Sequence, residues 1–207
     1  DKWLAKAGAV KQSERLAELV KQSRRGAAED RQQVAVLDKQ ARAGKNGEAD
    51  VKVGLAYFGF GEYDKAAQMF EDNLRLIEKV GDQHALANAY NNLGLVQWNR
   101  GRYAAAREWH ERSLAIRERI GDRPGIAACL NNLGLVDWGL GEYDAAARLL
   151  TECRRRGEES GNAFFTASAA HLLAITNMFR GKLADAKDLS DQALAIRSQS
   201  GSKLFHA

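Results

Sequence analysis

The sequence predicts an all-α solenoid, a row of antiparallel helix pairs. Three observations lead there. Sliding the chain by forty positions aligns Gly61, Gly101, Gly141 and Gly181, then Ala66, Ala106, Ala146 and Ala186. Apolar residues within each unit follow a helical spacing that a glycine interrupts where a tight turn is needed. Gly81-Asp82, Gly121-Asp122, Gly161-Asn162 and Gly201-Ser202 recur at the joins between units. Such internal repetition fixes the architecture before any single motif is read.

The unit Gly81 to Ile120 serves as the template. Its first helix carries Tyr90, Leu93, Leu95 and Val96 with Gly94 among them, and Gly101 ends the run. Its second helix begins near Arg102, with an inward stripe of Tyr103, Ala106, Trp109 or His110, Leu114 and Ile116. At each join the glycine can take the left-handed position that ends one helix. The Asp or Asn that follows can cap the next through its side chain.

These residues carry a family resemblance. Leu93-Gly94, Gly101, Tyr103 and Ala106 resemble the tetratricopeptide (TPR) pattern, as do Leu133-Gly134, Gly141, Tyr143, Ala146 and Val53-Gly54, Tyr57, Gly61, Tyr63, Ala66, Phe70. A weaker copy holds Leu173, Ala174, Gly181, Leu183, Ala186 and Ala193. The period is forty residues rather than about thirty-four, and Glu118 or Glu158 stands where a proline commonly ends the second helix. This longer form is similar to the repeats of the Pins/LGN adaptors and of kinesin light chain. The resemblance implies a right-handed superhelical solenoid, specific for fold and unspecific for partner.

In chain order, residues 1–44 are expected to form an N-terminal helical pair, a degenerate repeat or cap. Repeats then occupy 45–80, 81–120, 121–160 and 161–200, and 201–207 begins a truncated C-terminal helix, all in one continuous solenoid. The first N-terminal helix, Asp1 to Arg24, is amphipathic through Trp3, Leu4, Ala7, Val10, Leu16, Leu19 and Val20. It either caps the stack or lies in its groove. The second, Ala28 to Arg42, has a narrow stripe of Val34, Leu37 and Ala41.

Composition narrows the function. A formal charge of +4 is a mild excess, unlike the concentrated basic face of a nucleic-acid binder. No apolar run of spanning length and no signal-peptide core stands out, so a soluble fragment or processed chain is expected, cytoplasmic, with a periplasmic or secreted origin as the alternative. Cys129 and Cys153 lack a CxxC spacing and read as buried free thiols, with a disulfide brought about by antiparallel packing as the alternative. His84, His110, His171 and His206 lie far apart without paired-ligand spacing, so no metal is expected. Gly44-Lys45 and Gly181-Lys182 lack the other residues of a phosphate loop, and no nucleophile sits in a strand-to-helix elbow. No catalytic residue and no cofactor is expected.

The groove is the candidate site. First helices of stacked pairs line the concave side, and the family register puts Asn88, Asn92, Leu95 and Asn99, then Ala128, Asn132, Leu135 and Gly139, along it. Flanking repeats add Glu48, Lys52, Leu55 and Gly59, and Ser168, Leu172, Ile175 and Phe179. Beside them run Asn91, Asn131 and His171, and a ladder of Phe58, Trp98, Trp138 and Met178. An Asn amide offers donor and acceptor, so it can pair with the main chain of an extended peptide whatever its side chains. The apolar ladder supplies anchors, although Trp98 and Trp138 equally suit packing between neighbouring first helices. The resemblance implies that Asn92 and Asn132 face a bound peptide; Asn91 and Asn131 are read instead as bonding to neighbouring helices or to water.

The expected function is a non-catalytic adaptor holding a protein segment in the groove formed by Lys52, Leu55, Asn88, Asn92, Leu95, Trp98, Asn99, Asn132, Leu135, Trp138, His171 and Ile175. The alternative is a sensory or regulatory module of a larger bacterial protein that binds a small ligand or its own helix. Homodimerisation through Leu189, Leu194 and Ile196 of an uncapped last repeat is a third expectation.

Overall fold

The structure, a computed structural model, describes residues 30–36, 38–39 and 47–204. Eight helices follow one another from residue 47: α1 (Gly47–Gly59), α2 (Tyr63–Val80), α3 (Gln83–Asn99), α4 (Tyr103–Ile120), α5 (Arg123–Gly139), α6 (Tyr143–Glu159), α7 (Ala163–Phe179) and α8 (Leu183–Leu204). No strand occurs among the described residues. Each helix packs against the next, so the molecule is an all-α helical repeat solenoid.

The joins work as their chemistry dictates. Glycines every twenty residues from Gly61 to Gly181 hold φ between 65° and 79°, a left-handed conformation that costs a Cβ-bearing residue about 1–2 kcal/mol. The side chain of Asp82 accepts from the Ala85 amide at 3.1 Å, Asp122 from Gly125 at 3.0 Å and Asn162 from Phe165 at 3.2 Å. Each such cap contributes about 1 kcal/mol and sets the start of a first helix.

Within a pair, a glycine on the first helix lets the second approach. A Cβ on Gly54 would stand 2.5 Å from the Phe70 ring, on Gly94 2.6 Å from the His110 imidazole and on Gly134 2.6 Å from Leu150 Cγ. One position on the second helix is therefore filled by Phe70, His110 and Leu150, all at most 1% exposed. Of the alternatives for the inward stripe, His110 is the buried residue and Trp109 is half-buried, its ring 5.4 Å from Tyr90. A second tie recurs with the period: Ser113 Oγ donates to the Ala87 carbonyl at 2.8 Å, and Cys153 Sγ to the Ala127 carbonyl at 3.2 Å. Both cysteines are free and buried.

Between pairs, the tyrosine that opens each second helix reaches the end of the next first helix. Tyr63 donates to Asn99 Oδ1 at 3.3 Å, Tyr103 lies flush against Gly139, and Tyr143 stacks on Phe179 with ring centroids 5.1 Å apart. Arg180 pairs with Asp144 at 2.8 Å, and Arg100 pairs with Asp64 in the corresponding place two repeats earlier.

At the N-terminal end, residues 30–36 and 38–39 are helical. Val34 packs on the cluster containing Val53 and Tyr57, and the Tyr57 hydroxyl donates to Asp38 at 3.0 Å. Leu37, Ala41 and the amphipathic stretch Asp1 to Arg24 lie outside the described residues. At the other end, the expected break at Gly201 is absent, because α8 continues as a helix to Leu204. Of the residues expected at a self-association face, Leu189 is buried in a core cluster, Leu194 is exposed and Ile196 is half-buried. Among the described residues no helix is long and apolar enough to cross a membrane.

Candidate functional site

Consecutive first helices touch one another across repeats, α3 against α5 and α5 against α7, which puts them on the tighter, inner side of the stack. The residues facing that side are sharply sorted by charge. Helices α3 and α7 contain no Asp, Glu, Lys or Arg, whereas α4 carries seven such residues and α6 eight. In α5 the exceptions are Arg123 in the first turn and Asp137. Asp137 is 5% exposed, and its carboxylate receives Arg107 of α4 at 2.7 Å. Burial pushes the Asp137 carboxyl above its ordinary range, and the Arg107 guanidinium opposes that rise. The inner face from α3 to α7 is thus almost uncharged, with ion pairs held at its edges and on its back.

The asparagines divide by their partners. Asn132 Nδ2 donates to Asn91 Oδ1 at 3.0 Å, bridging α5 to α3, and Ser168 Oγ donates to Asn131 Oδ1 at 3.0 Å, bridging α7 to α5. Asn88 is exposed, yet its Oδ1 accepts from Arg117 at 2.6 Å. Asn99 donates to the Leu95 carbonyl at 2.9 Å and accepts from Tyr63. The Asn99 amide is therefore engaged at both ends inside the fold, Asn88 through its oxygen and Asn132 through one N–H. Asn92, half-buried on α3, has no hydrogen-bond partner for its amide among the described residues.

The remaining residues of the expected groove are placed as follows. Lys52 and Leu55 are exposed on α1, His171 is exposed on α7, and Leu95 is half-buried. Trp98 and Trp138 are half-buried, with both indole nitrogens sealed from solvent and lacking a hydrogen-bond partner among the described residues. They act as wall and filler together, each exposing part of a ring.

Leu135, Trp138 and Ile175 come together in one recess of about 110 Å³ between α5 and α7, with Leu172 on its rim and Gly134, Leu150 and Thr176 at its floor. The Thr176 hydroxyl donates to the Leu172 carbonyl at 2.7 Å, so the floor offers no free polar group. Phe179 meets the Trp138 ring edge-on at 5.7 Å and fixes it at the mouth.

Two features escaped the sequence reading although their signals were present. The alternation of uncharged and charged helices is visible in the residue types alone. Leu172 sits forty residues after Asn132 and eighty after Asn92, so an amide gives way to an isobutyl group where the recess forms. Among the described residues no group of three or more His, Cys, Asp or Glu side chains is placed to hold a metal ion.

Two family profiles, both described as tetratricopeptide repeat, match the chain, one over residues 47–119 and 86–159 and the other over 166–199. No curated protein matches it in sequence. Among solved structures it is similar to BtubC from P. vanneervenii, with TM-score 0.67 and 20% identity over 75% of this chain and 64% of that one. It is also similar to aspartyl phosphate phosphatase F from Bacillus subtilis, with TM-score 0.71 and 15% identity over 75% of this chain and 41% of that one. A putative kinesin light chain from Podosopora anserina, with nearly identical TPR-like repeats, gives TM-score 0.64 and 19% identity over 84% and 85%. The chain thus spans less than two thirds of the first two structures it resembles. Identities this low speak for the shared fold alone.

Proposed function

The chain belongs to the tetratricopeptide-repeat family, and from that premise we propose that it is a non-catalytic scaffold whose inner groove holds a segment of a partner protein. The observation that carries this reading is the charge sorting of the helices. An inner face whose ionic groups from α3 through α7 are Arg123 in the first turn of α5 and Asp137, paired with Arg107, suits an uncharged segment, since few buried charges are left unpaired when water is expelled. The unengaged Asn92 amide beside it suits a main-chain N–H and C=O, while Leu95, Leu135 and Ile175 supply apolar contact. Asn132, with one N–H on Asn91, keeps its second N–H and its Oδ1 for such a partner.

A displayed library of random peptides panned on the chain tests the proposal. Recovered binders are expected to be poor in charge and to lose about fivefold in affinity against Asn92→Ala, the loss of one hydrogen bond. Recovery of none, or of acidic or basic peptides indifferent to Asn92→Ala, would overturn it.

A further inference from the structure

We infer that the recess between α5 and α7 is a specificity pocket for a single aliphatic side chain, of valine to methionine size, on the uncharged partner segment. The inference rests on the groove reading above and names what one position of that segment must be.

Size comes first. At about 110 Å³ the recess is smaller than the roughly 150 Å³ apolar cavity that accommodates benzene, so it takes a branched or linear aliphatic group and has no room for an indole. Wall chemistry comes second. Leu135, Leu172, Ile175 and the Trp138 ring present carbon at the mouth, Leu150 is fully buried beneath, and the Thr176 hydroxyl is already bonded to Leu172. A hydroxyl, amide or charged group entering here would lose water without gaining a partner.

Position comes third. Where α3 and α5 carry Asn92 and Asn132, α7 carries Leu172. The groove is therefore graded, with amides along α3 and α5 and a carbon-lined socket at α5 to α7. A partner fitting both has one aliphatic anchor beside a stretch with accessible main chain. Phe179, stacked on Tyr143 and edge-on to Trp138, keeps the indole wall in place and so keeps the socket small.

The test uses the peptides recovered by panning, with affinities from fluorescence anisotropy against the chain and two variants. Leu172→Asn installs the residue that the sister repeats carry and so preserves the fold, which a thermal melt verifies. Ile175→Ala enlarges the socket. Expected results are an invariant Leu, Ile, Val or Met among the binders, and a loss of about tenfold or more when that residue is replaced by Ala or when Leu172→Asn is used. Ile175→Ala should shift the preference toward Phe, a change in selectivity that mere loss of stability cannot produce. Binders that still depend on Asn92 but show an aromatic anchor, no anchor, or indifference to Leu172→Asn would overturn the socket and leave the groove. Absence of any binder would overturn both.

Discussion

Acidification is expected to destabilise the second helix pair through His110. The imidazole is 1% exposed, its Nδ1 has no hydrogen-bond partner among the described residues, and Gly94 lets the ring lie directly on α3. Burial lowers its pKa from 6.5 to about 4. A folded pKa below the unfolded one means that the unfolded chain binds the proton first. The stability held above pH 6.5 is then lost as the pH falls through the window between 6.5 and about 4. Linkage gives a loss of about 2 kcal/mol by about pH 5 and about 3 kcal/mol by about pH 4. Urea unfolding followed by circular dichroism at a series of pH values measures it. Because exposed carboxylates also titrate at the acid end, the comparison is with His110→Leu, which copies the Gly134–Leu150 pair of the next repeat. The variant should lack this component of the slope, and the two curves should converge toward neutrality. Parallel pH profiles would refute the argument that the buried neutral imidazole sets the acid limit.

Further consequences follow from the same geometry. Gly94→Ala drives a methyl group into the His110 ring and should cost about 1–3 kcal/mol in a thermal or urea melt, with partial recovery in combination with His110→Ala. Cys129 and Cys153 are fully buried, and burial raises both thiols, Cys153 to about 12, so a thiol reagent at mildly alkaline pH should label neither until denaturant is added. Asn132→Ala removes the bridge to Asn91 and should lower stability by about 1 kcal/mol, whereas Asn92→Ala should leave the melting temperature unchanged and act on binding alone. Arg107→Ala leaves the buried Asp137 carboxylate without that guanidinium and should cost about 2–4 kcal/mol, much of it recovered by adding Asp137→Asn.

The repeat architecture was legible because its signals are local and periodic. A glycine that must adopt positive φ and the capping Asp or Asn behind it leave the same mark at every join, and Asp82, Asp122 and Asn162 cap as that mark implies. Gly201-Ser202 carries a similar mark without the break, the helix running on to Leu204. Site chemistry was legible to a lesser degree. A single Asn looks the same in sequence whether it faces a ligand or a neighbour, and the partners of Asn88, Asn99 and Asn132 are set by residues 29 to 41 positions away or by a turn of their own helix. The Leu135, Trp138 and Ile175 recess likewise depends on Leu150 and Thr176 packing beneath it, which no spacing rule specifies.

Backbone amide hydrogen exchange of the chain with and without a selected peptide tests the groove most directly. Binding along the inner face predicts slowed exchange in α3, α5 and α7, greatest around Asn92 and between Leu135 and Ile175, with α2, α4 and α6 unchanged. Protection concentrated on the charged second helices, with α3, α5 and α7 unaffected, would contradict the account.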